Sequence, residues 1–317
     1  MRMSSWLRSA RSHFVPTGTE KGHRPPRLRE RALTIERLED RTVLSTFMVV
    51  NLSDSGLGSL RQAVLDANAQ PGADVIRFAS AARDGTITLT GGQLSLTDDL
   101  TIDGPGAGRL AVSGNDASRV FQIGSGVAAS IDELTVTHGR AVGRGGGILN
   151  AGTLTLSDAI LSDNLAVGLP GASLGTVVDA FGGGIFNTGT LTVGHTTFVH
   201  NQAIGGDGTL AGTGSSALGG AIMSNGTPSA PAKATVSDSK FLDNQAIGGA
   251  AGTGASRAGI GGAISNATGT LTVSHSVFRQ SGRRRARQRR PRRLRRGRGR
   301  CHRERRSLWR RDPRRQR

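Results

Sequence analysis

Beyond residue 85 the chain alternates apolar and polar residues with a period of two, in short runs separated by glycine and asparagine. In the run from Gly189 to Val193, Leu191 and Val193 share one face and Thr190 and Thr192 the other. Such alternation of Thr, Val, Leu and Ile predicts short strands with tight corners. The runs recur inside a longer phrase, G-G-[GA]-I-x-[NS], then T-[LV]-T-[LV], then [LF]-x-x-N. Its anchors Ile148, Ile185, Ile222 and Ile264 lie 37, 37 and 42 residues apart. A four-residue strand cannot bury its apolar face alone, but it can when stacked on the equivalent strand of the next repeat.

The predicted fold is therefore all-β: a right-handed parallel β-helix, or solenoid, with a short N-terminal capping helix and disordered termini. The hand follows from the preference of parallel crossovers. Stacking at about 4.8 Å places Leu154, Leu191 and Leu271 in one apolar column. Short solenoid periods suggest about 20 residues per coil. On that reading Gly182–Ala203 is one coil, and the Gly-, Ala-, Thr- and Ser-rich stretch Ile204–Leu218, with few residues for a core, is a loop projecting from one face, a second, weaker coil being the alternative.

Residues 74–140 read as irregular coils of the same solenoid, and 145–279 as its GGxI repeats. The predicted helix, residues 59–69, places Leu60, Ala63, Val64 and Ala67 on one face. Ser59 and Gln62 form a capping box, and Pro71 with Gly72 ends the helix. Its predicted role is to cover the first coil, whose open strand edges would otherwise pair with other chains.

Aromatic residues make up 3% of the chain and tyrosine is absent, so the core must be built from aliphatic stacks. A single cysteine, Cys301, excludes an internal disulfide framework. No apolar run approaches the ~20 residues that a transmembrane helix needs. The net charge of +18 has one origin: residues 280–317 hold 20 arginines against two acids, Glu304 and Asp312. Residues 1–279 carry 21 basic and 21 acidic residues, so the folded region is not a basic, nucleic-acid-binding surface.

The Arg-rich tail breaks the fourth repeat just after Phe278, where the other copies continue x-x-N-x-A. We read it as a frameshift or truncation product; the alternative is a genuine polyanion-binding segment. Either way it should be disordered, having too little apolar surface to fold.

Asn164, Asn201 and Asn244 hold one repeat position and read as a structural hydrogen-bonded ladder, with a glycan-binding row as the alternative. Asn150, Asn187 and Asn266 form a similar row. No catalytic residue, cofactor or metal is predicted. The nearest approach to a metal site is the column Asp158, His195, Asp238 and His275, which alternates carboxylate and imidazole. Asp98, Asp99, Asp103, Asp132 and Glu133 are the acids that a glycan-cleaving site would draw on. Asp98 and Asp99 are adjacent and would face opposite ways in a strand, and a turn is the simpler reading of Asp103. The segment Gly205–Leu210 lacks a full calcium-binding repeat.

Three segments resemble known families. Residues 34–45, through Leu38, Glu39, Arg41, Leu44 and Ser45, resemble the LEPR-XLL segment of large exported planctomycete proteins. Asp40 replaces that segment's proline and Val43 its leucine. Residues 51–78, through Ser59, Leu60, Arg61, Ala63, Ala67 and Asn68, resemble the CSLREA domain that opens many bacterial β-helix proteins. Gly58 and Gln62 depart from its naming residues. The GGAI and FLDN elements are similar to the repeats of chlamydial polymorphic outer membrane proteins.

These resemblances imply a basic, disordered segment at 1–45 with an export motif, followed by a β-helix at 46–279. They also imply an extracellular, cell-surface or outer-membrane location without a transmembrane helix. The expected function is structural or adhesive and non-catalytic, with cell-surface components or polysaccharide as partners. A polysaccharide lyase or hydrolase on the same scaffold is the first alternative, and polyanion binding through the tail the second.

Overall fold

The computed structural model describes residues 44–169, 177–208, 212–251 and 256–279, together with the backbone of 282–285. The chain is a parallel β-helix. Every pairing between strands is parallel, and the last strand of one coil lies beside its counterpart in the next. Three faces enclose the core. The first runs from Thr46–Val49 through Asp74–Phe78, Leu100–Asp103, Ala128–Asp132, Thr153–Ser157 and Thr190–Gly194 to Ala232–Ser237. The second stacks Leu94–Leu96, Phe121–Ile123, Ile148–Asn150, Ile185–Asn187 and Ile222–Asn225. The third, seven-stranded face runs from Gly85–Thr88 to Val277–Arg279. In the last coil the single strand Ile264–Ser274 pairs with both Ile222–Asn225 and Ala232–Ser237, joining the first two faces.

The alternation seen in the sequence becomes columns. Leu154 pairs with Leu191, Leu191 with Ala234 and Ala234 with Leu271. The anchors Ile148, Ile185, Ile222 and Ile264 are direct neighbours. In the third face Val136, Leu161, Phe198 and Phe241 are completely buried. Phe198, Phe241 and Phe278 form a stack, with ring centres 4.7 and 4.8 Å apart and planes within 6° of parallel. The stack ends at the last described coil, where Val273 and Phe278 are 39% and 48% exposed.

The anchor pairing corrects the coil length. One coil is a whole repeat: hydrogen bonds between adjacent coils span 25 residues at Gly139–Asn164, 37 at Asn164–Asn201 and 43 at Asn201–Asn244. The extra length is a lateral fin, not the projecting loop expected of Ile204–Leu218. Strands Arg140–Val142, Leu165–Val167, Gln202–Ile204, Gln245–Gly248 and, by its backbone, Gly282–Arg285 form one added five-stranded sheet. Ala180–Phe181, Ala217–Leu218 and Gly259–Ile260 form another. Ala166, Ala180, Ala203, Ala217 and Ala246 are fully buried in a separate small core between them. The doubled glycines of each repeat make the junction. Gly182 has φ +63°, and a Cβ there would lie 2.1 Å from the Ile185 carbonyl oxygen. A Cβ on Gly183 would lie 2.3 Å from the Gln202 carbonyl oxygen, so the fin backbone can approach only a bare glycine.

The helix α1, Leu60–Asn68, buries Leu60, Ala63, Val64 and Ala67. The Ser59 hydroxyl accepts from the Gln62 N–H, as a cap should. The return half of the capping box is absent, because Gln62 Nε2 donates to Asp66 Oδ1. The helix side chains instead reach the strand Leu94–Leu96, which ends the second face. Asn68 Nδ2 donates to the Ser95 carbonyl and its Oδ1 accepts from the Thr97 N–H, and Arg61 donates to the carbonyls of Gly92 and Gln93. This is how α1 covers an otherwise open edge.

Arg119 ties the irregular coils to the repeats. It donates to Gln93 Oε1 at 2.7 Å and to the Arg144 and Gly145 carbonyls at 2.6 and 2.8 Å. Burial lowers its pKa from the ordinary guanidinium value. Among the described residues no helix is long and apolar enough to cross a membrane. The segment 1–43, with most of the LEPR-XLL-like motif, lies outside the described residues, as does the tail apart from the backbone of 282–285. That backbone pairs Arg283 with Ala246, a position of the fin core.

Candidate functional site

Two asparagine rows mark corners of the solenoid. Asn164, Asn201 and Asn244 are completely buried. Asn164 Nδ2 donates to Asn201 Oδ1 at 2.9 Å, and Asn201 Nδ2 to Asn244 Oδ1 at 2.9 Å. The same amides donate to the carbonyls of Val136, Leu161 and Phe198. Fully buried and internally bonded, they present nothing to a ligand. In the second row Asn150 Nδ2 donates to Asn187 Oδ1 at 2.8 Å, and Asn187 donates to Ser224. Ser224 pairs with Asn266, which turns instead to the Gly269 carbonyl.

The outward side of the third face is different. Asp158, His195, Asp238 and His275 occupy one column, each following a paired strand position. Their φ angles are +47°, +48°, +49° and +45°, and Glu133 precedes them in the column at +53°. A second column, not singled out from the sequence, runs along the opposite edge of the face. His138, Asp163, His200 and Asp243 have φ of +48°, +54°, +55° and +53°. Asp and His tolerate this left-handed conformation better than most residues, so the corner geometry selects them. The sequence signal for the second column was present: each of Asp163, His200 and Asp243 precedes a ladder asparagine.

Both columns repeat a carboxylate or an imidazole at one-coil intervals on the outside of the solenoid. His200 Nδ1 lies 3.6 Å from Asp163 Oδ1 and its Nε2 lies 3.9 Å from Asp243 Oδ2, all three side chains being substantially exposed. No ion pair joins Asp158, His195, Asp238 and His275 among the described residues, and no group of three His, Cys, Asp or Glu there converges for a metal. Between the columns the outward strand residues include Thr197 and Val199, then Lys240 and Leu242, then Val277 and Arg279. At the N-terminal end a hollow of about 290 Å³ is lined by Thr86, Ser113, Asn115, Asp116, Thr137 and His138.

The acids picked out in the irregular coils have separate partners. Asp98 accepts from the Gly72 and Asp99 N–H groups, and Asp99 accepts from the Ala128 N–H. Asp103 and Asp132 do come side by side on neighbouring coils. Arg77 donates to Asp103 at 3.1 Å, while the hydroxyls of Ser130 and Ser157 donate to Asp132. Asp54, which the sequence reading passed over, accepts from the Thr90 and Gly91 N–H groups and from Arg61 at 2.8 Å. Burial pushes the Asp54 carboxyl up, but these hydrogen bonds outweigh it and its pKa lies below the ordinary value.

In comparison with known proteins, the chain matches no protein-family profile and no characterised protein.

Proposed function

We propose that this is a non-catalytic rod, exported or displayed at the cell surface, with a structural or adhesive role. Its adhesive surface is the outward third face with the two columns that border it. The observation that carries this reading is the nine left-handed corner residues, Glu133 to His275 and His138 to Asp243, that repeat acid or imidazole coil after coil. A rigid array of weak polar sites at a fixed spacing suits a repeating partner such as a polysaccharide or a cell-wall lattice, because binding at one coil raises the effective concentration at the next. The stacked core and the internally bonded asparagines support the rigidity that such an array needs. An extracellular or outer-membrane location rests on the LEPR-XLL and CSLREA resemblances.

The test is attachment of the full chain to cell-surface polysaccharide preparations, alongside a variant with His195, His200, Asp238 and Asp243 all changed to glycine. Loss of attachment with an unchanged unfolding temperature supports the reading; undiminished attachment sinks it. A second reading, a glycan-cleaving enzyme, draws on the adjacency of Asp103 and Asp132. Release of new reducing ends from an acidic polysaccharide, abolished by Asp132→Asn, would favour it instead.

A further inference from the structure

The strand Asp74–Phe78, the turn after it and the turn after Leu100–Asp103 bring three arginines to one place. Arg77, Arg83 and Arg109 line a cleft of about 140 Å³, with Phe78, Asp103, Gly104 and Pro105 as its remaining walls. Each guanidinium is held differently. Arg77 Nε donates to Asp103 Oδ2 at 3.1 Å. Arg109 donates to both oxygens of Asp84, at 2.8 and 2.7 Å, and holds that carboxyl below its ordinary pKa. Arg83 donates Nε to the Phe78 carbonyl at 3.1 Å; its charge also acts on Asp84, but its two Nη groups have no hydrogen-bond partner among the described residues.

The ground beneath the cleft is fixed. The Gly104 N–H donates to the Asp132 carbonyl at 3.0 Å and the Gly106 N–H to the Glu133 carbonyl at 3.1 Å. A Cβ on Gly104 would lie 2.4 Å from the Glu133 carbonyl oxygen, so the turn is seated directly on the next coil. The arginines therefore stand on a rigid corner, not a free loop.

The charges select a class of ligand. Three cations against Asp84 and Asp103 leave one net positive charge, enough for one carboxylate at a time along a chain. A planar guanidinium fork whose Nη groups are free of hydrogen bonds matches a carboxylate. The Asp103 carboxylate beside it can accept hydrogen bonds from hydroxyl groups, and half-buried Pro105 offers an apolar surface to C–H groups. An oxyanion flanked by hydroxyls on a ring with a C–H face is a sugar acid.

We infer that this cleft binds the uronate units of an acidic polysaccharide, with Arg83 meeting the carboxylate and Asp103 accepting from a neighbouring hydroxyl. The inference rests on the adhesive reading for its polymer and adds the chemical class of the ligand.

The experiment is calorimetric titration of the full chain with an oligogalacturonate, a neutral oligosaccharide of equal length, and inorganic sulfate. The titrations are repeated on Arg83→Gln and Arg77→Gln, with unfolding temperatures measured in parallel. The expected result is binding of the oligogalacturonate alone, weakened by rising salt and at least tenfold by Arg83→Gln at an unchanged unfolding temperature. Unaltered affinity in both variants places the ligand elsewhere and overturns the inference. Sulfate binding as tight as uronate reduces the cleft to an anion site and also overturns it. Cell-surface attachment without oligogalacturonate binding would fail this inference alone. Oligogalacturonate binding without attachment would fail the adhesive reading alone.

Discussion

Asn201 stands one coil above Asn164 and accepts its side-chain amide at 2.9 Å, while donating its own amide to Asn244 at the same distance. Asn201 is thus both a rung and a link. Replacing it with alanine removes the acceptor of Asn164 and the donor to the Leu161 carbonyl, all in a fully buried corner. The expected loss is about 2–4 kcal/mol, since each buried group left unmatched costs ~1–3. Urea unfolding of Asn201→Ala against the parent checks it; a loss below about 1 kcal/mol would mean that the ladder is ornamental.

The phenylalanine stack should be uneven in its contribution. Phe198 is completely buried and Phe278 is 48% exposed. Phe198→Ala should cost about 3–5 kcal/mol, the range for a buried aromatic, and Phe278→Ala under about 2. Equal losses in thermal unfolding would show that the last coil is covered in solution.

Asp54 links stability to pH. Its pKa is lowered in the folded state, so its contribution is fully present above the unfolded carboxylate value of ~3.9 and fades as pH falls through the folded value. Asp54→Asn should therefore lower the unfolding temperature at pH 7, and the gap to the parent should close as pH falls through the lowered folded value. A gap independent of pH would show that the packing of α1, and not the carboxylate's charge, sets the difference.

The left-handed corners give a pair of opposed substitutions. At His195, φ is +48°. A β-branched residue there should cost about 1–2 kcal/mol or more, whereas glycine should fall within about 1 kcal/mol of the parent, relief of strain offsetting its greater unfolded-state freedom. Parallel thermal melts of His195→Val and His195→Gly check the order; the reverse order would contradict the corner geometry.

The parts legible in the sequence were those written in bulky side chains. Ile148, Ile185, Ile222 and Ile264 announced their own stacking, and Leu60, Ala63, Val64 and Ala67 the buried face of α1. The fin was not legible because its strands are two to four residues long and its core is alanine, whose apolar signal does not stand out from glycine and threonine. Missing the fin shortened the predicted coil. The second corner column went unread because Asp163 and Asp243 look like ordinary turn residues until three-dimensional stacking aligns them with His138 and His200. The arginine cleft was hidden for a related reason: Arg77, Arg83 and Arg109 belong to two different coils and share no spacing rule.

The alanine core of the fin also limits how this molecule can change. Among the described residues, five alanine methyl groups form the core between its two sheets, with glycine backbones abutting one another at the junction. No larger side chain fits without prying the sheets apart. Descendants of this chain can therefore lengthen the fin, by copying whole coils, but cannot thicken it. Growth along the axis is open to it and growth in girth is closed.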